Sequence, residues 1–268
     1  MSWREGEARA ATALRECRRE LAASGSSILR EVTEGAPGAS EWRRYPEGEV
    51  YDPTTHAQYF YHRHPTSGRA RPAEPGEHGH FHLFLRAEGM PPGTAPLLVP
   101  ELAIANATVP PQSAPSKRGA RDEVAHLVAV AIDARGEPIR LFTTNRWVTG
   151  ETWYGADDMI RMLDCFDLQT DTPSLLLNRW LAALVHLFRP EIAVLLRNRD
   201  KAVQEWQWRW RRRGHVFEDT RLEVASSFEI DLEARLALVE HAEREPSGRA
   251  AAVSARGRLP RMAEGWGA

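Results

Sequence analysis

Glu77-His-Gly-His-Phe-His-Leu-Phe-Leu-Arg86 decides how this chain is read. Gly79, Phe81, Leu83 and Leu85 share one parity, and His80 and His82 share the other. A period of two sends successive side chains to opposite faces of a strand, so this stretch predicts a strand with an apolar face and an imidazole face. Upstream, Tyr59 to His64 is aromatic and β-prone, with His62 and His64 again alternating. His62, His64, His78, His80 and His82 thus fall within twenty-one residues. Downstream, His126 to Asp133 is apolar at both parities, as expected of a strand covered on both sides. By parity alone Val128, Val130 and Ile132 go with His126, and Leu127, Ala129 and Ala131 take the other face. Ala134-Arg-Gly-Glu137 then turns into Pro138 to Val148, which predicts a hairpin, and Leu222 to Ile230 alternates as a further strand.

Helical periodicity surrounds these strands. Residues 4–30 read as one amphipathic helix with Leu14, Cys17 and Leu21 on a stripe, ended by Gly35, Pro37 and Gly38. Asp157 and Asp158 open a short helix to about Leu168. Thr172-Pro173 reads as an N-cap with proline at the first helical position, starting a helix to Phe188. Pro190 starts another, with Ile192, Leu195, Leu196, Val203, Trp206 and Trp210 as its buried stripe, and Asp231 caps a last helix to about Arg244. Two proline- and glycine-rich connections interrupt the sheet. Residues 65–77 hide strand register, and residues 87–122, with seven prolines, have the length of a lid, a binding loop or a disordered segment. The expectation is an α+β domain with no internal repeat: an antiparallel sheet of about four to five strands layered with helices. Residues 1–45 form an N-terminal helix and linker, 46–155 the histidine-rich sheet region, 156–245 a helical half packed on the sheet, and 246–268 a disordered tail.

The 268 residues suffice for a sizeable core, and 42% hydrophobic with 27% charged residues is ordinary for a soluble globular protein. A formal net charge of −2 gives no overall attraction to nucleic acid or anionic lipid. Only Lys117 and Lys201 are lysines, but the arginine bias is spread along the whole chain and is assigned no function. Cys17 and Cys165 belong to no CxxC pair, which argues against a disulfide framework or a thiolate zinc site. The N-terminus lacks a signal-peptide core, and the most apolar stretch, Trp180 to Phe188, is too short for a span. A cytoplasmic protein without nucleic-acid or membrane partners follows.

The imidazoles carry the chemistry. Two histidines at i and i+2 on one strand, with a third on its neighbour, build an open metal site that leaves a position for water or substrate. His62, His64, His80 and His82 are the candidate ligands, and Glu77, Glu101 or Glu151 can add a carboxylate, so zinc or iron is the expected cofactor. The bland reading of the same pattern is a half-polar sheet face whose imidazoles bond one another and bind nothing. His56, His126, His186, His215 and His241 stand isolated and read as ordinary histidines.

A second constellation is Thr143-Thr-Asn-Arg-Trp-Val-Thr-Gly-Glu-Thr-Trp-Tyr154, where a strand runs out into polar and aromatic residues. Asn145, Arg146, Trp147 and Trp153 are its candidate ligand-binding residues, Arg146 as a fork for a small anion and the indoles as a stacking wall. The rival reading is a capped turn with the tryptophans as core and Arg146 paired to Glu151. Gln204 to Gly214, rich in Trp and Arg, fits an ordinary packed helix with cations at its C-terminus better than a nucleic-acid surface.

YDPTTHAQYFYHRHP (51–65), EHGHFHLFLR (77–86) and LFTTNRWVTGETWY (141–154) together resemble a bacterial family known only as a domain of unknown function, over roughly residues 45–240. That resemblance implies no activity. His78-Gly-His80-Phe-His82 also superficially resembles the histidine-triad nucleotide hydrolases and transferases, which would make His80 a nucleophile; Gly79 and the long following loop depart from that pattern. Three functions are therefore carried forward. The first is a metal-dependent enzyme acting on a small anionic molecule, with Glu151 as ligand or general base. The second is a non-catalytic binding protein using Arg146, Trp147 and Trp153. The third is phosphoryl or nucleotidyl transfer through His80.

Overall fold

Six strands form one antiparallel sheet in which sequence order is spatial order: β1 Arg44–Tyr51, β2 Ala57–His62, β3 Gly79–Arg86, β4 Val124–Ile132, β5 Pro138–Thr144 and β6 Val224–Glu229. The computed structural model describes residues 3–33, 43–64, 74–97, 123–210 and 215–244, so Glu101, most of the 87–122 loop and the 246–268 tail lie outside the described residues. The sheet exceeds the expected four to five strands by β1. Pro46 and Gly48 disguise that strand, and both are tolerated because β1 is an edge that pairs only with β2, across a register shift.

Among the described residues seven α-helices accompany the sheet: α1 Trp3–Ser24, α2 Ile28–Val32, α3 Arg146–Thr149, α4 Ala156–Leu163, α5 Leu175–Leu187, α6 Arg189–Trp210 and α7 Leu232–Arg244. The single helix expected over 4–30 is two, because Gly25 takes a left-handed φ of 63° and Ser27 caps a new start. Likewise Ser174, not Thr172, caps α5, its hydroxyl accepting from the Leu177 amide. The short helix after Asp157 ends at Leu163 rather than Leu168. The Asp231 cap on α7 is present, accepting from the Ala234 amide at 2.9 Å. No described helix is long and apolar enough to cross a membrane.

The apolar face of the sheet faces these helices. LLLNRWLAALVHL in α5 is hydrophobic almost all round, and such a helix belongs inside. It lies between the sheet and α1, with Trp180 near Phe81 and Asn178 Oδ1 accepting from the Tyr59 hydroxyl at 2.6 Å. One core joins Leu14 and Cys17 of α1, Tyr59, Phe81, Leu83, Val128, Val130 and Leu141 of the sheet, Leu181 of α5, Leu196 of α6 and Leu236 of α7. In α6 the expected stripe is buried at Ile192, Leu195, Leu196 and Val203, while Trp206 and Trp210 are only half-buried.

The polar face is set by register. Arg44, His62, His80, Ala131 and Arg140 are successive cross-strand partners, forming one row over five strands. Phe60, His82, Ala129, Phe142 and Ser227 form the next row. A bulge then intervenes: Leu83 pairs with Val128 but Phe84 pairs with His126, leaving Leu127 without an opposite number. The bulge corrects the expected parity. It lets Leu127 and Val128 both join the core and brings His126 to the same face as His82.

Candidate functional site

The imidazole face forms because β2 and β3 pair with His62 opposite His80 and Phe60 opposite His82. Gly79 makes the approach possible. A Cβ there would lie 2.4 Å from the Tyr61 hydroxyl and 2.5 Å from the His62 carbonyl oxygen, so only glycine fits. The Tyr61 hydroxyl crosses that gap to His78 Nδ1 at 2.6 Å, which leaves His78 engaged apart from the other imidazoles.

His62, His64 and His80 converge. One ring nitrogen from each lies within 4.8 Å of the other two, an arrangement that can hold a metal ion. His62 Nε2 and His80 Nε2 are 2.6 Å apart. Tetrahedral zinc, with Zn–N of about 2.0–2.1 Å, would hold such nitrogens about 3.3 Å apart, so adjustments of roughly an ångström complete the geometry. His80 Nδ1 lies 2.6 Å from Glu77 Oε1, and the other oxygen of Glu77 accepts from Arg140 Nη2 at 2.5 Å. A carboxylate only accepts, so His80 Nδ1–H is the donor to Glu77, which in the neutral ring leaves the lone pair on Nε2. In the metal-free row His62 Nε2–H is then the donor in the contact between the two histidines, and His62 would have to shift that proton to Nδ1 for its Nε2 to ligate a metal.

His82 has a different partner. Its ring centroid is 4.8 Å from that of His80, yet its Nδ1 is hydrogen-bonded to His126 Nε2 at 3.0 Å, and His126 Nδ1 meets Thr144 Oγ1 at 3.1 Å. Of the four candidate ligands, three therefore meet in one group and His82 stands beside it, tied to a buried histidine that reads as isolated in the sequence. Arg140, Thr144 and His126 are the side chains that sequence reasoning missed. No local signal marks them, because their roles depend on sheet register and the bulge.

Burial sets the charge state of this face. It pushes His62 down to about 2, helped by the neighbouring His80, His64 and Arg44. It pushes His126 down to about 3 with help from Arg199 and His80, and His82 also falls well below its usual value. These imidazoles are neutral near pH 7, the form that ligates metals. Burial alone would raise the Glu77 carboxyl, but His80 and Arg140 hold it below the usual range.

The 143–154 constellation is assembled differently. The Asn145 side chain caps α3 by accepting from the Arg146 amide and donates to the Val216 carbonyl at 2.8 Å. Arg146 is ion-paired with Glu218 rather than Glu151. Trp147 donates to the Leu222 carbonyl at 2.8 Å, and Trp153 packs between Phe217 and the Arg199 guanidinium. Glu151 is fully buried near Arg199 and Arg146, and burial raises its carboxyl to about 8 despite both cations. The charged groups felt by Glu151 are Arg199, Arg146 and Glu218, and no histidine of the metal-type group is among them.

Residues 8–230 match the family described as a domain of unknown function, DUF6969. The chain belongs to that family. No curated protein and no solved structure matches it. The family description brings no activity with it, so chemical assignment rests on the geometry above.

Proposed function

We propose that this DUF6969 protein is a metal-dependent enzyme in which His62, His64 and His80 bind one zinc ion and the substrate is a small anionic molecule. The observation that carries this reading is the convergence within 4.8 Å of three imidazole nitrogens, from His62 on β2, His80 on β3 and His64 two residues past the end of β2. A zinc ion held by these three imidazoles would polarise a bound oxygen and lower the pKa of bound water towards 7. Zinc is favoured over iron by the donor set. A two-histidine, one-carboxylate iron site needs a ligating acid, whereas both oxygens of Glu77 are engaged by His80 and Arg140.

Charge supports the anionic substrate. Arg44 is paired with Glu49 and Arg140 with Glu77, so the flanks of the histidine row are self-balanced. Neutral imidazoles would leave the ion's positive charge uncompensated, and an anionic substrate would supply the balance. His80 as a phosphoryl nucleophile is less well supported, since its Nε2 faces His62 at 2.6 Å. That contact favours one second reading, a metal-free row of hydrogen-bonded imidazoles. A cytoplasmic setting, with Cys17 and Cys165 both free thiols, completes the proposal.

Elemental analysis of untagged protein, purified without chelator and then reconstituted with zinc or iron(II), separates the two readings. About one zinc per chain is expected, lost in the His62→Ala/His80→Ala double variant while its circular dichroism stays native. A wild-type protein that takes up no stoichiometric metal leaves the hydrogen-bonded row as the correct description.

A further inference from the structure

Glu77 and Arg140 are polar, largely buried, and reach the histidine row from outside its two strands. Glu77 precedes β3, and Arg140 stands on β5, two strands beyond His80. The residue between His80 and Arg140 in the cross-strand row is Ala131 on β4, fully buried and carrying only a methyl group. The Glu77 carboxylate joins the two side chains that flank Ala131. It is 2.6 Å from His80 Nδ1 and 2.5 Å from Arg140 Nη2, and its side chain is 4% exposed. Arg140 is held in turn, with its guanidinium 4.3 Å from the Phe142 ring centroid and Nη1 3.5 Å from Ser227 Oγ.

We infer that Arg140–Glu77 is the positioning device of the centre: it locks His80 in the Nδ1–H tautomer and thereby delivers the Nε2 lone pair to the zinc. An imidazole free to choose either tautomer spends part of its time with a proton on the ligating nitrogen, where it cannot bind a metal. A carboxylate on the opposite nitrogen removes that choice and fixes the ring's rotation. Arg140 holds the carboxylate in place through its other oxygen. Ala131 contributes by being small, since a larger side chain would compete for the space that Glu77 bridges. Glu77 is thus a positioning residue, acting through His80. The metal-affinity part of this inference rests on the proposed zinc site, but the tautomer part does not.

Two measurements on full-length protein test it: zinc affinity by competition with a chelating dye, and the His80 tautomer by long-range proton–nitrogen NMR on metal-free protein. Glu77→Ala is expected to weaken zinc binding about 10- to 100-fold. Glu77→Gln, which keeps a carbonyl acceptor, should recover part of the loss. In metal-free wild type His80 should be the Nδ1–H form, and in Glu77→Ala a mixture. If Glu77→Ala does not fold, Ala131→Leu replaces it, with the same losses expected. Zinc affinity within twofold of wild type together with an unchanged tautomer overturns the inference and leaves the zinc site standing. If wild type binds no zinc, the functional proposal fails alone; the metal-free tautomer still decides for or against Glu77.

Discussion

The histidine face of β2–β3 and the strand end at 143–154 are both dense in polar and aromatic side chains, but they dispose of their polar atoms in opposite ways. At 143–154 Asn145, Arg146 and Trp147 are met by distant parts of the same chain, the Val216 carbonyl, Glu218 and the Leu222 carbonyl, while Arg146 Nε, Thr149 Oγ1, Glu151 Oε2 and Thr152 Oγ1 are buried singly, with no hydrogen-bond partner among the described residues. On the histidine face, His62 and His80 turn nitrogens towards each other and towards His64. Side chains that close on the fold contribute stability, whereas nitrogens that close on one another are what the proposed metal site requires. The contrast also separates two kinds of buried ionisable group. The imidazoles lose charge on burial and become better ligands, while Glu151 loses charge and gains no evident partner for Oε2.

Substitution at Arg146 gives the largest effect separating the two regions. Arg146→Ala abandons Glu218 in a mostly buried ion pair and should cost about 3–5 kcal/mol in chemical denaturation while leaving zinc stoichiometry unchanged. Loss of zinc at retained fold in that variant would merge the two regions into one site.

Acid should act on the histidine face next. In the metal-free protein His62, His82 and His126 have folded pKa values below their unfolded value of about 6.5. The unfolded chain therefore takes up protons first as pH falls. The stability these groups contribute is intact above about pH 6.5 and declines below it, until the folded values near 2 to 3 are reached. Glu151 opposes the trend, since its raised folded pKa of about 8 makes the native state the better proton binder between pH 4.5 and 8. The net loss from pH 7 to 5.5 should be roughly 2 kcal/mol, read from urea midpoints at each pH. A flat profile would mean that the imidazoles are not desolvated.

The smallest effect is a gain. Glu151→Gln removes a protonation cost of about 4 kcal/mol at pH 7.5, and its buried amide, left without a partner, takes back about 2–3 kcal/mol, so the variant should be about 1–2 kcal/mol more stable at pH 7.5 and lose that advantage by pH 4.5. A destabilised variant at pH 7.5 would show that the Glu151 carboxyl has a partner that its burial and neighbours do not reveal.

How much was legible in advance follows from range. The β3 strand, its imidazole face and the hairpin at Gly136 were readable because alternation and turn chemistry are local. The Asp231 cap was readable for the same reason. β1 was not, since Pro46 and Gly48 argue against a strand except at an edge, and edges are known only once the sheet is assembled. His126 was assigned to the wrong face because one unpaired residue, Leu127, reverses parity, and a bulge leaves no mark in a single sequence. Among site residues, alternation groups His62, His64, His80 and His82 as ligands, and three of the four meet. That His82 turns to His126, and that Glu77 bonds His80 instead of ligating, depended on register hidden behind the 65–77 connection.

By itself, then, the sequence determined which residue types share a strand face, where helices tend to start and stop, and that imidazoles cluster in two alternating runs. Tertiary structure decided which of those imidazoles meet, which carboxylate stands behind them and which polar side chains are already satisfied. Alternation and capping are properties of neighbouring residues along the backbone. Convergence of nitrogens from two strands, and of a guanidinium from a third, exists only after hydrophobic burial on the opposite face has set the sheet's register.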